Sequence, residues 1–355
     1  MARIDYNLTE GTGDVVNDTQ KIVTSTWTNN VNDLKLSSSF TSSTNTIFGS
    51  PTSSGAFFIN IHNDATTSSV QFAVAYGHKA GSGSLDFTNA TNALGNSPSK
   101  VIYNQYRQLV FGDENKNFQF PGDLSSINSG VTYTPDDIFV ININRARYKN
   151  NLKPGTLNLI ISGADNKPLH LTDDSITTSG SSTLTNAGRQ FNLVSGSSGV
   201  RLGSTTIQVD GSGSYGLYYP DSGFIILNPA AVSHSIETDN ELTNVSQNTD
   251  AKNHQHFLDL IISGGSFIVD SEEKISSKYY FTRIKNGEFN FTTNPSFIDA
   301  NGNLRYTSME NNPKVYITTV GLYNETNDLV AVAKLSQPIA KDFSKEALIR
   351  VKLDY

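Results

Sequence analysis

The chain of 355 residues contains no cysteine. Disulfides, a thiolate nucleophile and a cysteine-ligated metal are thereby excluded, and stability must come from packing or assembly. Charge is also scarce, with Asp, Glu, Lys and Arg together at 17% of residues and a formal net charge of −7. Nucleic-acid affinity comes largely from Lys and Arg displacing counterions, so neither a phosphate-neutralising protein nor one that coats an anionic membrane is expected. No uninterrupted apolar run approaches the roughly 18 residues of a membrane helix. The opening MARIDYNLTEGTGD lacks the apolar stretch of a secretory signal, so the expectation is a soluble protein made in a cytoplasm.

What is plentiful is Ser, Thr, Asn and Gly around an apolar fraction of 36%. That balance suits strands joined by polar turns better than long charged helices. The expected fold is mainly β, a multi-domain β-sandwich or antiparallel-sheet architecture with one or two short helices and an extended N-terminal arm. Residues 1–55 form the arm, because 19–55 is Ser/Thr-rich with few large apolar residues. Residues 56–163 form a β-rich domain in which AFFINIHND and SVQFAVAYGH alternate as strands. A helix is expected near 98–111, with Ser97 as cap, Pro98 in the first turn, Ile102, Tyr106 and Leu109 on one face, and Gly112 as the stop. DDIFVININRARY places Phe139, Ile141 and Ile143 on one face of a strand, and Lys153-Pro154-Gly155 turns the chain into TLNLIISG.

LNLIISG at 157–163 recurs as LDLIISGG at 258–265, which either a duplicated strand-turn unit or convergence on a buried strand would explain. Between them, 164–250 reads as a small inserted β subdomain, and 251–355 as a C-terminal β domain. In that last part KVYITTVGLYN, ETND and LVAVAKLS spell a hairpin, followed by the terminal strand ALIRVKLDY.

Several strings imitate chemical motifs. Gly211-x-Gly213-x-x-Gly216 has dinucleotide-loop spacing, but such a loop needs a helix N-terminus behind its glycines, and Pro220 with the Asp221-Ser222-Gly223 turn denies one. GHKAGSGS lacks the Gly-Lys-Ser/Thr order of a phosphate loop. DENKN from Asp113 has Phe118 where a calcium loop needs glycine, and DANGN from Asp299 is better explained by an Asn301-Gly302 turn. His254 and His256 are too few for a metal. The pairs Asp136-Asp137, Asp173-Asp174 and Glu272-Glu273 point to opposite strand faces and read as solvated turns or strand ends. No catalytic residue, cofactor or metal is therefore expected, and the protein is not expected to be an enzyme. The polar cluster of greatest interest is Arg145, Arg147 and Tyr148, because Arg and Tyr combine contact area with directional donors. Tyr323 in the hairpin is a further interface candidate. Trp27, Tyr218 and Tyr219 are candidate platforms for a sugar, although scattered aromatics more often belong to the core.

Three stretches of the second half, YGLYYPDSGFIILNP, SEEKISSKYYFTRIKNGEFNFTTNPSF and YITTVGLYNETNDLVAVAKLSQPIAKDFSKEALIRVKLDY, together with VININRARYKNNLKPG, carry a resemblance. They resemble virion structural proteins of contractile-tailed, T-even-like bacteriophages of marine bacteria. The VGLYN…LVAVAKL hairpin is similar to the baseplate-docking part of phage tail-fibre proteins. The resemblance implies a tail-baseplate subunit located in the virion, with neck or capsid-associated positions and a receptor- or glycan-binding tail module as alternatives. It implies other virion structural proteins and copies of the same chain in a symmetric particle as partners, without nucleic acid or membrane.

Overall fold

The computed structural model describes residues 13–30, 33–36, 41–44, 58–62, 69–81, 98–121, 132–162, 168–176, 182–201, 214–236, 253, 257, 258, 261, 265–291 and 294–355. It is mainly β, with antiparallel sheets and two α-helices among these residues. In chain order the elements begin β1 (Val15–Ser25), β2 (Leu34–Leu36), β3 (Thr41–Thr44), β4 (Phe58–His62), β5 (Val70–His78), α1 (Pro98–Phe111), β6 (Phe120–Pro121) and β7 (Thr132–Tyr133). They continue as β8 (Asp137–Ile143), β9 (Asn151–Leu152), β10 (Asn158–Ser162), β11 (Pro168–Asp173), β12 (Thr183–Thr185), β13 (Gly188–Ser197) and β14 (Val200–Arg201). The remainder are β15 (Gly216–Tyr219), β16 (Phe224–Leu227), α2 (Pro229–Ile236), β17 (Gly265–Ile268), β18 (Asp270–Ile284), β19 (Val315–Tyr323), β20 (Leu329–Lys341) and β21 (Ala347–Asp354). The chain divides into two compact units, one of residues 22–273 and one of residues 1–21 with 274–355.

The larger unit is built on one sheet with the order β2-β17-β10-β11-β13-β15-β16-β8-β5-β4-β3, antiparallel along the whole path. Its middle strands are apolar on both sides because both sides are covered. Phe139, Ile141 and Ile143 of β8 join a core with Ile225, Tyr218, Leu193 and Leu159, while Ile138 and Val140 face the opposite way into a second core under α1. The first core curls the sheet into a half-barrel. Phe72 on β5 and Phe267 on β17 lie near opposite ends of the strand order, yet their rings are 5.5 Å apart, and Trp27 packs on both at 6.2 and 4.9 Å.

Residues 164–250, expected as an inserted subdomain, supply β11, β13, β15 and β16 to the interior of this same sheet. The described part of the expected arm likewise pairs within the chain: β2 lies on β17 and β3 on β4. The recurring string takes two forms. In the first copy Leu159 and Ile161 are strand residues, whereas in the second Phe257, Leu258 and Ile261 are helical and buried, with Phe257 stacked on Phe139 at 4.4 Å. At its described residues the second copy is thus not the strand that both readings of the repeat, a duplicated strand-turn unit or convergence on a buried strand, expected; tertiary packing assigns one apolar string to two conformations.

α1 starts at Pro98 as its fixed φ favours and ends at Gly112, whose φ of 63° closes the last turn through a bond to the Gln108 carbonyl; the proposed cap Ser97 lies outside the described residues. The buried stripe is Ile102, Tyr103, Tyr106 and Val110; Leu109, expected on it, is 44% exposed. Spacings of three and four from Ile102 reach Tyr106 and Val110 and pass Leu109 by.

The smaller unit orders its strands β1-β18-β21 and lays that sheet against the β19–β20 hairpin. Ile284, Ile349, Val351 and Leu322 form the shared core, with Val320, Ala331 and Ala333 at its margin. Pro338 sits in β20 where the register shifts between Ile317 and Thr319, so its missing N–H falls at an irregularity. Lys341 is fully buried and donates to the Asn286 carbonyl at 3.0 Å and to Asn290 Oδ1 at 2.7 Å.

Two of the three acidic pairs are not the solvated groups expected. Asp173 and Asp174 are buried because each closes a turn: Asp173 accepts from the Gly155 N–H at 2.8 Å, and Asp174 from the Asn192 N–H at 2.9 Å and its side-chain amide at 3.0 Å. Glu272 is buried too, on the segment that pairs with β9. Burial raises both aspartates above the ordinary carboxylate range. Asp137, at the start of β8, is raised to about 7 by burial, with the Asp136 charge adding to the rise.

Two measurements follow. A Cβ on Gly77 would meet Tyr103 N at 2.9 Å and Tyr103 Cα at 3.1 Å, so β5 and α1 touch through backbone. Gly77→Val is expected to cost about 1–3 kcal/mol of stability in denaturant titration, and a wild-type midpoint would contradict this contact. For Asp137, the raised folded pKa makes its contribution fully present below about pH 4 and lost as pH rises through about 7, because the unfolded chain ionises first. Asp137→Asn should remove a slope of up to about 1.4 kcal/mol per pH unit between these limits. Denaturation curves at pH 4.5 and 7 that shift equally in both proteins would refute it.

Candidate functional sites

The larger unit carries a cleft of about 510 Å³, on the face of the sheet that α1 covers only in part. Facing residues of β4, β5 and β8 form its floor: Asn60 is in register with Ala73, and Ala73 with Asn142. Farther along the same strands Phe58, Ala75 and Val140 continue the floor toward α1, which contributes Ile102, Gln105 and Tyr106 as one wall. Asn144, Arg145, Tyr148 and Ser222 make the other.

The wall is held by local chemistry. Asn144 Oδ1 accepts from the Ala146 N–H at 2.9 Å and starts a short 3-10 turn over Arg145–Arg147. Arg145 folds back, donating to the Tyr148 carbonyl at 2.6 Å with its guanidinium 4.5 Å from the Tyr148 ring centre. Tyr148 itself is buried against Gly223, whose φ of 73° and missing side chain leave room for the phenol. Burial raises the Tyr148 pKa and the Arg145 charge opposes that. Tyr106 accepts from the Asn142 side-chain amide at 3.1 Å, and burial pushes its own pKa up to about 12, so it remains a neutral hydroxyl.

The expected cluster is therefore divided. Arg145 and Tyr148 line the cleft, whereas Arg147 donates to Thr28 Oγ1 at 2.6 Å within the chain. Sequence reasoning did not single out Asn60, Ala73 or Asn142. The signal was present in FINIH and VINI, where an asparagine interrupts an apolar alternation on the face that should be covered.

In the smaller unit Tyr323 lies on the outer face of the hairpin, 46% exposed, beside Leu329, Val330 at 67% and Val332 at 57%. Tyr316 is exposed as well. Neither outer edge of this two-stranded sheet is paired among the described residues. The connecting turn is rigidified by its own side chains: Asn324 Oδ1 accepts from the Asp328 N–H at 2.7 Å, and Thr326 donates to Asp328 Oδ2 at 2.6 Å. The Thr326 hydroxyl and the Asn324 side-chain amide, which both donate to Asp328 Oδ2, hold that carboxyl below its ordinary range.

The other candidates take structural places. Gly216 begins a strand and Pro220–Gly223 is a hairpin turn, while Gly211 and Gly213 lie outside the described residues. Trp27, Tyr218 and Tyr219 are buried in the cores, which removes them as sugar platforms, because no ring face is left to solvent. Asp113 accepts from the Asn115 N–H in a plain turn, and Phe118 is core. Asp299 gathers the Asn301 and Asn303 N–H groups, as the Asn-Gly turn required. His254 and His256 lie outside the described residues, among which no group of three His, Asp or Glu is placed to hold a metal ion. No described helix is long and apolar enough to cross a membrane. No family model matches the chain, and neither a curated protein nor a solved structure gives a match.

Proposed function

We propose that the chain is a structural subunit of a tailed-phage virion, placed in the tail baseplate, and that the outer face of the β19–β20 hairpin is its assembly surface. The single observation that carries the assembly role is the row Tyr323, Leu329, Val330 and Val332, apolar, adjacent and exposed on a sheet whose outer edges are unpaired among the described residues. Open edges and apolar faces are what soluble proteins ordinarily cover or charge, because they pair with other chains. Burying each of these side chains in a neighbour contributes roughly 1.5–3 kcal/mol, and a tyrosine at the centre of such a patch adds a directional hydroxyl. The rigid Asn324–Asp328 turn keeps the hairpin preorganised, which lowers the ordering cost of association. The phage assignment is supported by the resemblance of the strings around this hairpin, and ring symmetry would bring identical copies into repeated contact.

Val330 and Val332 face away from the unit's core, so the double change Val330→Glu and Val332→Glu leaves circular dichroism and the denaturation midpoint near wild type, within about 0.5 kcal/mol per site. Incorporation into particles, measured by complementing a phage that lacks the chain and probing purified virions, is expected to fall at least tenfold. Incorporation at the wild-type level would contradict the proposal.

A further inference from the structure

The cleft on the larger unit has a chemistry unlike that of the hairpin, and it is uncoupled from the assembly role. We propose that it binds an acidic saccharide, a sugar unit bearing one carboxylate, as a hexuronate does. Among the described residues the lining contains one cationic side chain, Arg145, and no Asp, Glu, Lys or His. A cationic ligand would have no counter-charge there, and a polyphosphate would find one arginine where it needs several donors. A single carboxylate matches. Arg145 uses one of its N–H groups on the Tyr148 carbonyl and is steadied over the ring, which leaves the rest of the fork for a planar, two-oxygen partner.

The floor specifies the rest of the ligand. Asn60 and Asn142 stand on either side of Ala73 in one cross-strand row, so two carboxamides roughly 10 Å apart flank a methyl-sized recess, at about 4.8 Å per strand. A carboxamide donates and accepts at once, as a hydroxyl does, so a pair this far apart suits hydroxyls on opposite sides of one ring or on two linked rings, with Asn142 already giving one N–H to Tyr106. Ala73, half-buried between the two asparagines, offers a small aliphatic surface to the C–H face of a pyranose. The Tyr148 ring is buried and carries the Arg145 guanidinium over its face, which disfavours a planar base in that position. A volume near 510 Å³ falls within the range of small-molecule sites and suits one or two sugar rings rather than a long peptide.

The test is calorimetric titration of the full chain at pH 7 with digalacturonate, its dimethyl ester and neutral cellobiose. Saturable binding of digalacturonate is expected, weakened at least tenfold in the ester and in Arg145→Gln, an exposed position whose loss spares the fold. Ala73→Leu, which fills the recess, should abolish the binding, with circular dichroism confirming that the variant is folded. Arg350→Gln in the smaller unit should leave it unchanged. Absence of digalacturonate binding, equal affinity for the ester, or indifference to Arg145→Gln would overturn the assignment. Displacement of digalacturonate by micromolar acetyl-trialanine, whose carboxylate ends a peptide, would also overturn it and give the cleft to a protein tail. None of these outcomes depends on particle assembly, so this proposal and the virion role fail separately.

Discussion

Trp27 stands between the two ends of a long curled sheet. Its indole packs on Phe72 from one end and on Phe267 from the other, and its N–H donates to the Phe267 carbonyl at 2.7 Å. The next residue continues the tie: the Thr28 N–H donates to Gln71 Oε1 at 3.1 Å, Gln71 Nε2 donates back to Thr28 Oγ1 at 2.6 Å, and Arg147 reaches the same hydroxyl. A sheet that curls around a core leaves an open seam, and apolar side chains at the seam would meet water. Here the seam is filled by one large ring whose single polar atom is satisfied. Removing a ring so placed costs about 3–5 kcal/mol, a large fraction of the stability of an ordinary domain.

Closure of the inner core decides what happens outside it. With Phe139, Ile141 and Ile143 committed inward, the alternate residues of β8 must face the other way, where α1 covers Ile138 and Val140 but reaches Asn142 only with the Tyr106 hydroxyl and leaves it exposed. The same alternation sets Asn60 and Ala73 beside it. The cleft is thus the part of the outer face that one helix of this length leaves uncovered, and asparagines occupy it because an apolar residue there would stay wet. In the smaller unit alternation acts in the same way, placing Val320 and Leu322 against the core while Gly321 and Tyr323 face out.

Individual elements were legible because their signals are local. The β4, β5, β8 and β10 strands follow from alternation, α1 from Pro98 and Gly112, and the C-terminal hairpin from two alternating runs around ETND. What escaped was everything set by contacts between distant segments. Trp27 lies in a polar stretch with nothing near it in sequence to pack on, and its partners are at residues 72 and 267. The two apolar strings look alike, yet packing makes Leu159 and Ile161 strand residues and Leu258 and Ile261 helical ones. Asp173 and Asp174 resembled solvated acids until the turns that they close were in place. Of the site, Arg145 and Tyr148 were legible as a cluster, whereas the floor required knowing that β4, β5 and β8 are neighbours.

Because the chain has one tryptophan, its fluorescence reports on the seam alone. Equilibrium denaturation followed at once by tryptophan emission and by far-ultraviolet circular dichroism asks whether closure and sheet are one cooperative event. The account predicts blue-shifted emission that resists acrylamide quenching in the native protein, and a red shift superimposed on the loss of sheet in the unit that contains Trp27. Emission already red-shifted in the native state, or a seam that opens well before the sheet is lost, would contradict it.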